Sequence, residues 1–96
     1  MSVDKTLIER EAVYGDYLDG LHLRGSIMKA INKSYEFHHN KRMPDEFQGM
    51  IWDVLNKLCR IAVTPDHIDS WHDIQGYAKR SEEILRREQD AVEKSR

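Results

Sequence analysis

The sequence contains little of what marks a secreted or membrane-spanning protein. Only one of its 96 residues is a cysteine, Cys59, so no disulfide can form within the chain. No apolar run approaches the roughly 20 residues that span a bilayer, and the first residues lack the apolar core of a signal peptide. These features predict a cytoplasmic protein in a reducing compartment, in which Cys59 is a buried structural thiol rather than a nucleophile.

An excess of positive charge is also missing. The chain carries 15 lysines and arginines against 17 aspartates and glutamates, a formal net charge of −2. Nucleic-acid binders normally carry a basic excess, so the charge gives no support for nucleic-acid binding. A chain of this length buries a limited fraction of its surface, and we therefore expect self-association to add stability.

Prolines are few, and no segment shows the sustained alternation of a β-strand. Pro44 and Pro65 divide a sequence whose apolar residues otherwise recur at helical spacing. This pattern predicts one all-α domain over residues 1–96, a compact bundle of about three to five helices. We expect the core to span about residues 5–86, followed by a charged tail at 87–96.

Two helical runs, separated near Gly15, are predicted in the first third of the chain. The first begins at Asp4, and its predicted inward residues are Leu7, Ile8 and Ala12. The predicted inward residues of the second are Tyr14, Leu18, Leu21, Met28 and Ile31. Gly20 and Gly25 lower its helix propensity or allow another backbone to come close. The segment EFHHNKRMPDE (36–46) is then predicted as a loop.

The next helix is predicted to start at Pro44 and to close at Val63. Its wide apolar arc comprises Phe47, Met50, Ile51, Val54, Leu55, Leu58, Ile61 and Ala62. Such an arc indicates burial against more than one neighbour. The opposite, polar stripe comprises Asp53, Asn56, Lys57 and Arg60.

A last helix is predicted with Thr64 as its N-cap and Pro65 as its first residue. Its predicted inward residues are Ile68, Trp71, Ile74, Ala78 and Leu85. After Leu85 the sequence is mostly charged, and we expect it to fray or to project into solvent.

The polar residues of these last two helices could form a binding site. Asp69 and Asp73 are four residues apart and share a helix face, so they repel each other unless a cation lies between them. Mg²⁺ prefers oxygen ligands and commonly bridges carboxylates to phosphates, while Lys57 and Arg60 are phosphate-binding residue types. Tyr77 could contact a base or a sugar.

A second interpretation of the same residues remains open. Acids near a helix start and cations near a helix end are favoured by the helix dipole alone, so capping and surface ion pairs would also account for them. His67 and His72 are five residues apart, which suits no helical metal pair, and the chain has no phosphate-binding P-loop.

Three segments resemble a family of small phage and prophage proteins. They are YGDY at 14–17, KLCRI at 57–61 and PDHIDSWHDIQGYA at 65–78, the last containing the pattern Asp-Ser-x-x-Asp-x-x-Gly-Tyr. That family is in turn similar to the MazG-like, all-α nucleoside triphosphate pyrophosphohydrolases. The resemblance implies a helical bundle that assembles as a dimer or tetramer.

The resemblance also implies an activity. With Mg²⁺, a nucleoside or deoxynucleoside triphosphate would be hydrolysed to the monophosphate and pyrophosphate. The implied metal ligands are Asp69, Asp73 and Asp53. Lys57 and Arg60 would bind the substrate and stabilise phosphoryl charge, Tyr77 would contact the nucleoside, and Glu9 or Asp53 would orient the water.

The acidic set is smaller than the family pattern requires. MazG-like enzymes carry Glu-x-x-Glu and then Glu-x-x-Asp on consecutive helices, and here Asp73 matches the last acid while the earlier pair is met only by Asp53 and Asn56. Either Glu9 or Glu11 completes the metal site, or hydrolysis has been lost. The alternative is therefore a non-catalytic phage accessory protein that binds a host protein or a nucleotide, or a helical oligomerisation module.

Overall fold

The computed structural model describes residues 3–95 and consists of four α-helices. They are α1 (Val3–Tyr14), α2 (Tyr17–His39), α3 (Asp45–Val63) and α4 (Ile68–Lys94). The described residues contain no strand, which confirms the predicted all-α fold. No helix in this range is long and apolar enough to cross a membrane.

A short turn joins α1 to α2. Gly15 adopts a φ of +81°, a conformation open to glycine but costly for other residues. Asp16 then caps α2, because its carboxylate accepts a hydrogen bond of 3.1 Å from the backbone N–H of Asp19. A Cβ placed on Gly15 would lie 2.8 Å from Cγ2 of Val63, so this turn packs closely on the end of α3.

The helix α2 continues further than its sequence predicted. Residues 36–39, predicted as part of a loop, are helical, and α2 ends where Asn40 takes a left-handed φ of 55°. The N–H of Asn40 donates to the carbonyl oxygen of Glu36 at 2.8 Å, which closes the last turn. The start of α3 near Pro44 and its end at Val63 are confirmed.

The predicted start of α4 is wrong by three residues. Thr64 is the C-cap of α3 rather than the N-cap of α4, and its hydroxyl donates to the carbonyl oxygen of Val13. Pro65 lies in the connecting turn, where its carbonyl accepts a hydrogen bond of 2.8 Å from Nε1 of Trp71. The first residue of α4 is Ile68, preceded by His67 as the cap.

The helix α3 lies at the centre, and the other three helices pack on it more than on one another. The core cluster contains Met28 of α2 with Leu55 and Cys59 of α3, flanked by Ile27 and Ile51. The burial of Cys59 and Met28 is as predicted. The helix α4 runs antiparallel to α3, since Lys57 meets Asp73 and Glu46 meets Glu88. The hydrogen bond between Glu46 and Glu88 raises the pKa of Glu46.

Many residues predicted to point inward are exposed instead. They are Leu7, Ile8, Ala12, Leu18, Leu21, Leu58, Ala62, Ile68, Trp71 and Ala78. Those on α1, α2 and α4 are exposed because each of these helices packs mainly on α3, which covers only a narrow strip of its surface. Leu58 and Ala62 lie on α3 itself, on parts of its surface that the outer helices leave open. The helix α4 also continues through the predicted tail to Lys94, with residues 86–95 exposed.

Candidate functional site

The polar stripe of α3 divides between two surfaces. Lys57 points toward α4, whereas Asn56 and Arg60 face a groove on the side of α1 and α2. Asp53 is exposed near the middle of the helix. The single cleft predicted for this stripe is therefore two separate environments, one an ion pair and the other a groove.

The ion pair joins α3 to α4. Nζ of Lys57 lies 2.9 Å from Oδ2 of Asp73, and the lysine side chain is only 11% exposed, against 42% for the aspartate. The hydrogen bond from Lys57 lowers the pKa of Asp73 and outweighs burial, which acts in the opposite direction. The positive charges of Lys57 and Arg60 lower this pKa further. Each group thus already has a partner of opposite charge.

The groove is bordered by α1, α2 and the C-terminal half of α3, and has a volume of about 710 Å³. We call it the N-terminal groove. Its charged lining residues are Arg10, Glu11, Asp16, Asp19, Arg24 and Arg60. Its other lining residues are Leu7, Tyr14, Gly15, Tyr17, Gly20, Leu23, Asn56, Cys59, Ala62 and Val63. It therefore combines three guanidinium groups, three carboxylates, two phenols and several apolar side chains.

A chain of contacts positions Arg60 in this groove. Its guanidinium carbon lies 4.4 Å from the ring centroid of Tyr14, a cation–π arrangement. The ring of Tyr14 meets that of His67 edge to face at 5.6 Å. Nδ1 of His67 lies 2.8 Å from Oγ of Ser70, a side chain that is 1% exposed. Residues from all three of the resembling segments thus meet at the same corner.

Arg24 of α2 also lines the groove. Its guanidinium carbon is 5.8 Å from the ring centroid of Trp52 on α3. Nearby, burial raises the pKa of the Cys59 thiol, while the charge of Arg24 acts in the opposite direction. A raised pKa keeps this cysteine protonated at neutral pH, which fits its expected structural role.

The three predicted metal ligands are not gathered into one group. Within residues 3–95, no three histidine, cysteine, aspartate or glutamate side chains lie in an arrangement that could hold a metal ion. Asp69 is exposed and borders a shallow depression together with Asp66 and His67. Asp73 is paired with Lys57, and Asp53 is exposed on α3.

The remaining predicted site residues are also placed apart. Glu9 is exposed on α1, and its neighbours Arg10 and Glu11 line the groove instead. Tyr77 is half-buried on α4 and does not line the groove. Of the predicted substrate-binding residues, Arg60 alone lies in the N-terminal groove.

Sequence reasoning missed the groove residues Arg10, Arg24 and Tyr17. One local signal was present on α1. The pattern i, i+3, i+4, i+7 places four residues on one face of the helix: Leu7, Arg10, Glu11 and Tyr14. What this face meets depends on the turn at Gly15, which the sequence showed only as a weak point in a helix.

The chemistry of the groove therefore depends on its own side chains. Guanidinium groups form paired hydrogen bonds with phosphate oxygens, and aromatic rings accept bases and sugars. Comparison with known proteins adds nothing to this, since no protein-family model, no curated protein and no solved structure matches the chain.

Proposed function

We propose that this protein binds a nucleoside polyphosphate in the N-terminal groove. The observation that supports this most directly is that Arg10, Arg24 and Arg60 line one groove. Each of these three guanidinium groups can bind phosphate oxygens at two points. The groove also carries the carboxylates of Glu11, Asp16 and Asp19, which a Mg²⁺ ion that accompanies the phosphates would offset. Its volume of about 710 Å³ lies within the range of sites for small molecules and cofactors.

The nucleoside part of the ligand has suitable surfaces beside the arginines. Tyr14 and Tyr17 present aromatic rings, and Leu23 and Val63 add apolar area. Tyr17 is exposed at the rim, so stacking on its ring requires no rearrangement of the core. The expected ligand is still a nucleotide, but its binding site is the groove rather than the face between α3 and α4.

Titration calorimetry with ATP, dATP, ADP and AMP, with and without Mg²⁺, tests this proposal. We expect triphosphate to bind, and affinity to fall as phosphates are removed. Arg10→Gln should weaken triphosphate binding by about tenfold or more, the loss of one charge-assisted contact. Arg42→Gln is the matched control, because Arg42 is an exposed arginine that pairs with Asp45 outside the groove.

Two results would contradict nucleotide binding in the groove. One is the absence of heat and of thermal stabilisation with every nucleotide. The other is equal weakening by Arg10→Gln and Arg42→Gln, which would indicate a general effect of net charge.

Hydrolysis to the monophosphate and pyrophosphate is the second candidate function. The observation that favours it is that Glu11 and Asn56 line the same groove as the arginines. Mg²⁺ needs only one or two carboxylates when phosphates and waters supply its other ligands, so Glu11 fits an ion that arrives with the nucleotide. Once bound, that ion would supply neutralisation of phosphate charge and activation of water.

The protein groups would then have distinct roles in this reaction. Water attacks the α-phosphorus, the bond to the bridging oxygen breaks, and pyrophosphate leaves. Arg60 and Arg10 would stabilise the charge that develops on the phosphates. Glu11 would accept or orient the proton of the attacking water, the role that the family resemblance gives to Glu9.

Pyrophosphate release with Mg²⁺ and a nucleotide panel tests the catalytic step separately from binding. We expect Glu11→Gln to remove release while leaving nucleotide affinity, measured without Mg²⁺, within a few-fold of the unmodified chain. Glu9→Gln, measured alongside, decides which of the two glutamates acts. Binding without release by the unmodified chain would leave the non-catalytic accessory role, with the nucleotide as its ligand.

A further inference from the structure

Positive charge is concentrated in one stretch of this chain, although the chain as a whole is slightly acidic. Residues 20–44 contain five lysines and arginines against one acid, Glu36, which gives a local net charge of +4 in a chain whose net charge is −2. In the described part of the chain, three of these five cations make no ion pair: Lys29, Lys33 and Lys41. Their charge is therefore available to a ligand.

Two of these lysines lie on the side of α2 that faces away from α3. Phe37 follows the buried Met28 by nine residues, about two and a half helical turns, so it lies on the opposite side of the helix. The exposed residues around Phe37 on that side form a surface that we call the α2 outer face. Its residues are His22, Ser26, Lys29, Ala30, Lys33 and Phe37. This face is about 22 Å long, and none of its residues lines the N-terminal groove.

An aromatic ring is held in solvent at the end of the α2 outer face. Phe37 is 85% exposed, and its ring meets that of His38 edge to face, with the ring centroids 5.2 Å apart. Nδ1 of His38 donates a hydrogen bond of 2.8 Å to the carbonyl oxygen of Ser34, which fixes the imidazole against the last turn of α2. The phenylalanine ring thus has a positioned neighbour and leaves most of its surface open for stacking.

We propose that the α2 outer face binds single-stranded nucleic acid, with Lys29 and Lys33 on its phosphates and a base stacked on Phe37. Nucleic acid is favoured over other polyanions because each nucleotide supplies both a phosphate and a planar base, which complement the lysines and the ring. An anionic membrane fits less well. A helix that lies on a membrane buries a continuous apolar side, whereas this face has one large apolar side chain.

Fluorescence anisotropy of a labelled oligothymidylate of about 12 nucleotides tests the proposal with the full chain. We expect binding at a salt concentration of about 50 mM. The logarithm of the binding constant should fall with the logarithm of salt concentration with a slope of about −1.4, the value for two phosphate contacts on a single strand. A duplex of the same length should bind more weakly, because its paired bases are not free to stack on Phe37.

Two substitutions separate the phosphate contacts from stacking. Lys33→Gln should weaken binding and reduce the steepness of the salt dependence by about 0.7, the loss of one phosphate contact. Phe37→Ala should weaken binding by about tenfold and leave the salt dependence unchanged. The matched controls are Lys79→Gln and Ile68→Ala, because both residues are exposed on α4, away from the α2 outer face. Circular dichroism of each variant shows whether its helices remain folded.

Four results would overturn the proposal. They are no binding of the oligonucleotide at low salt, equal weakening by Lys33→Gln and Lys79→Gln, no effect of Phe37→Ala, and displacement of the oligonucleotide by excess ATP, which would place the strand in the N-terminal groove. Binding to vesicles that contain phosphatidylserine, with none to the oligonucleotide, would assign the face to a membrane surface instead. Nucleotide binding in the groove is measured separately by calorimetry, so either proposal can fail without the other.

Discussion

Lys57 illustrates how one residue type can favour two different functions. A lysine near the end of a helix, opposite two aspartates, suits a phosphate site and also an ion pair, and both interpretations were open from the sequence. The structure places its amine 2.9 Å from Asp73 and leaves the side chain almost buried. A buried cation needs a permanent counter-charge, so the ion pair is the role that the packing supports.

Lys57 is more deeply buried than Asp73, so replacing one partner of the ion pair should affect stability differently from replacing the other. Asp73→Asn leaves the lysine charge buried without its partner, whereas Lys57→Met leaves a carboxylate that water can reach and fills the space with an apolar chain. We expect Asp73→Asn to lower the melting temperature more than Lys57→Met does at pH 7. Thermal unfolding monitored by circular dichroism measures both.

The same pair predicts a pH dependence of stability. The pKa of Asp73 is lowered in the folded chain, so its ionisation stabilises the fold at pH values above the unfolded value of about 3.9. That contribution is lost as pH falls through the lowered folded pKa. The difference in stability between the unmodified chain and Asp73→Asn should therefore shrink in acid, and a difference that stays constant to pH 2 would contradict the assignment.

At the scale of whole helices, residues within the segment determined the limits of α3, whereas a contact with a distant residue determined the start of α4. The limits of α3 followed from Pro44 and from a broad apolar arc, both of which act within the helix itself. The start of α4 did not follow from Thr64 and Pro65, because the hydroxyl of Thr64 bonds to Val13, 51 residues earlier in the chain. Such a partner leaves no trace in the neighbouring residues.

The groove was missed for a related reason. Arg60 was recognised as a phosphate-binding residue type on the polar stripe of α3, and it does line the groove. Arg10 and Arg24 join it because the turn at Gly15 places the end of α1 and the start of α2 against the end of α3. The arrangement depends on the positive φ of Gly15. Glycine permits a positive φ but also occurs with ordinary values, so its presence in the sequence does not predict this conformation.

The turn between α1 and α2 is therefore expected to be sensitive to a single methyl group. Gly15→Ala places a side chain at a φ of +81° and brings its Cβ to 2.8 Å from Val63. Strain of this kind costs about 1–3 kcal/mol. Chemical denaturation should show a loss of this size for Gly15→Ala.

Val63→Ala supplies the control for this turn, because it removes the γ-carbon that the new Cβ would meet. In the double variant the steric part of the loss should be recovered, while the cost of the backbone conformation remains. Additive losses in the double variant would show that Val63 does not restrict Gly15.

Across the whole molecule, one central helix supports three outer helices, and this arrangement explains both the small core and the large exposed surface. Composition and helical spacing predicted the all-α class, because they reflect how much apolar surface each helix carries. They did not predict which of those surfaces remain open in a single chain. That depends on which helices meet, and Leu18 and Trp71 looked as buried in the sequence as Leu55 and Met28.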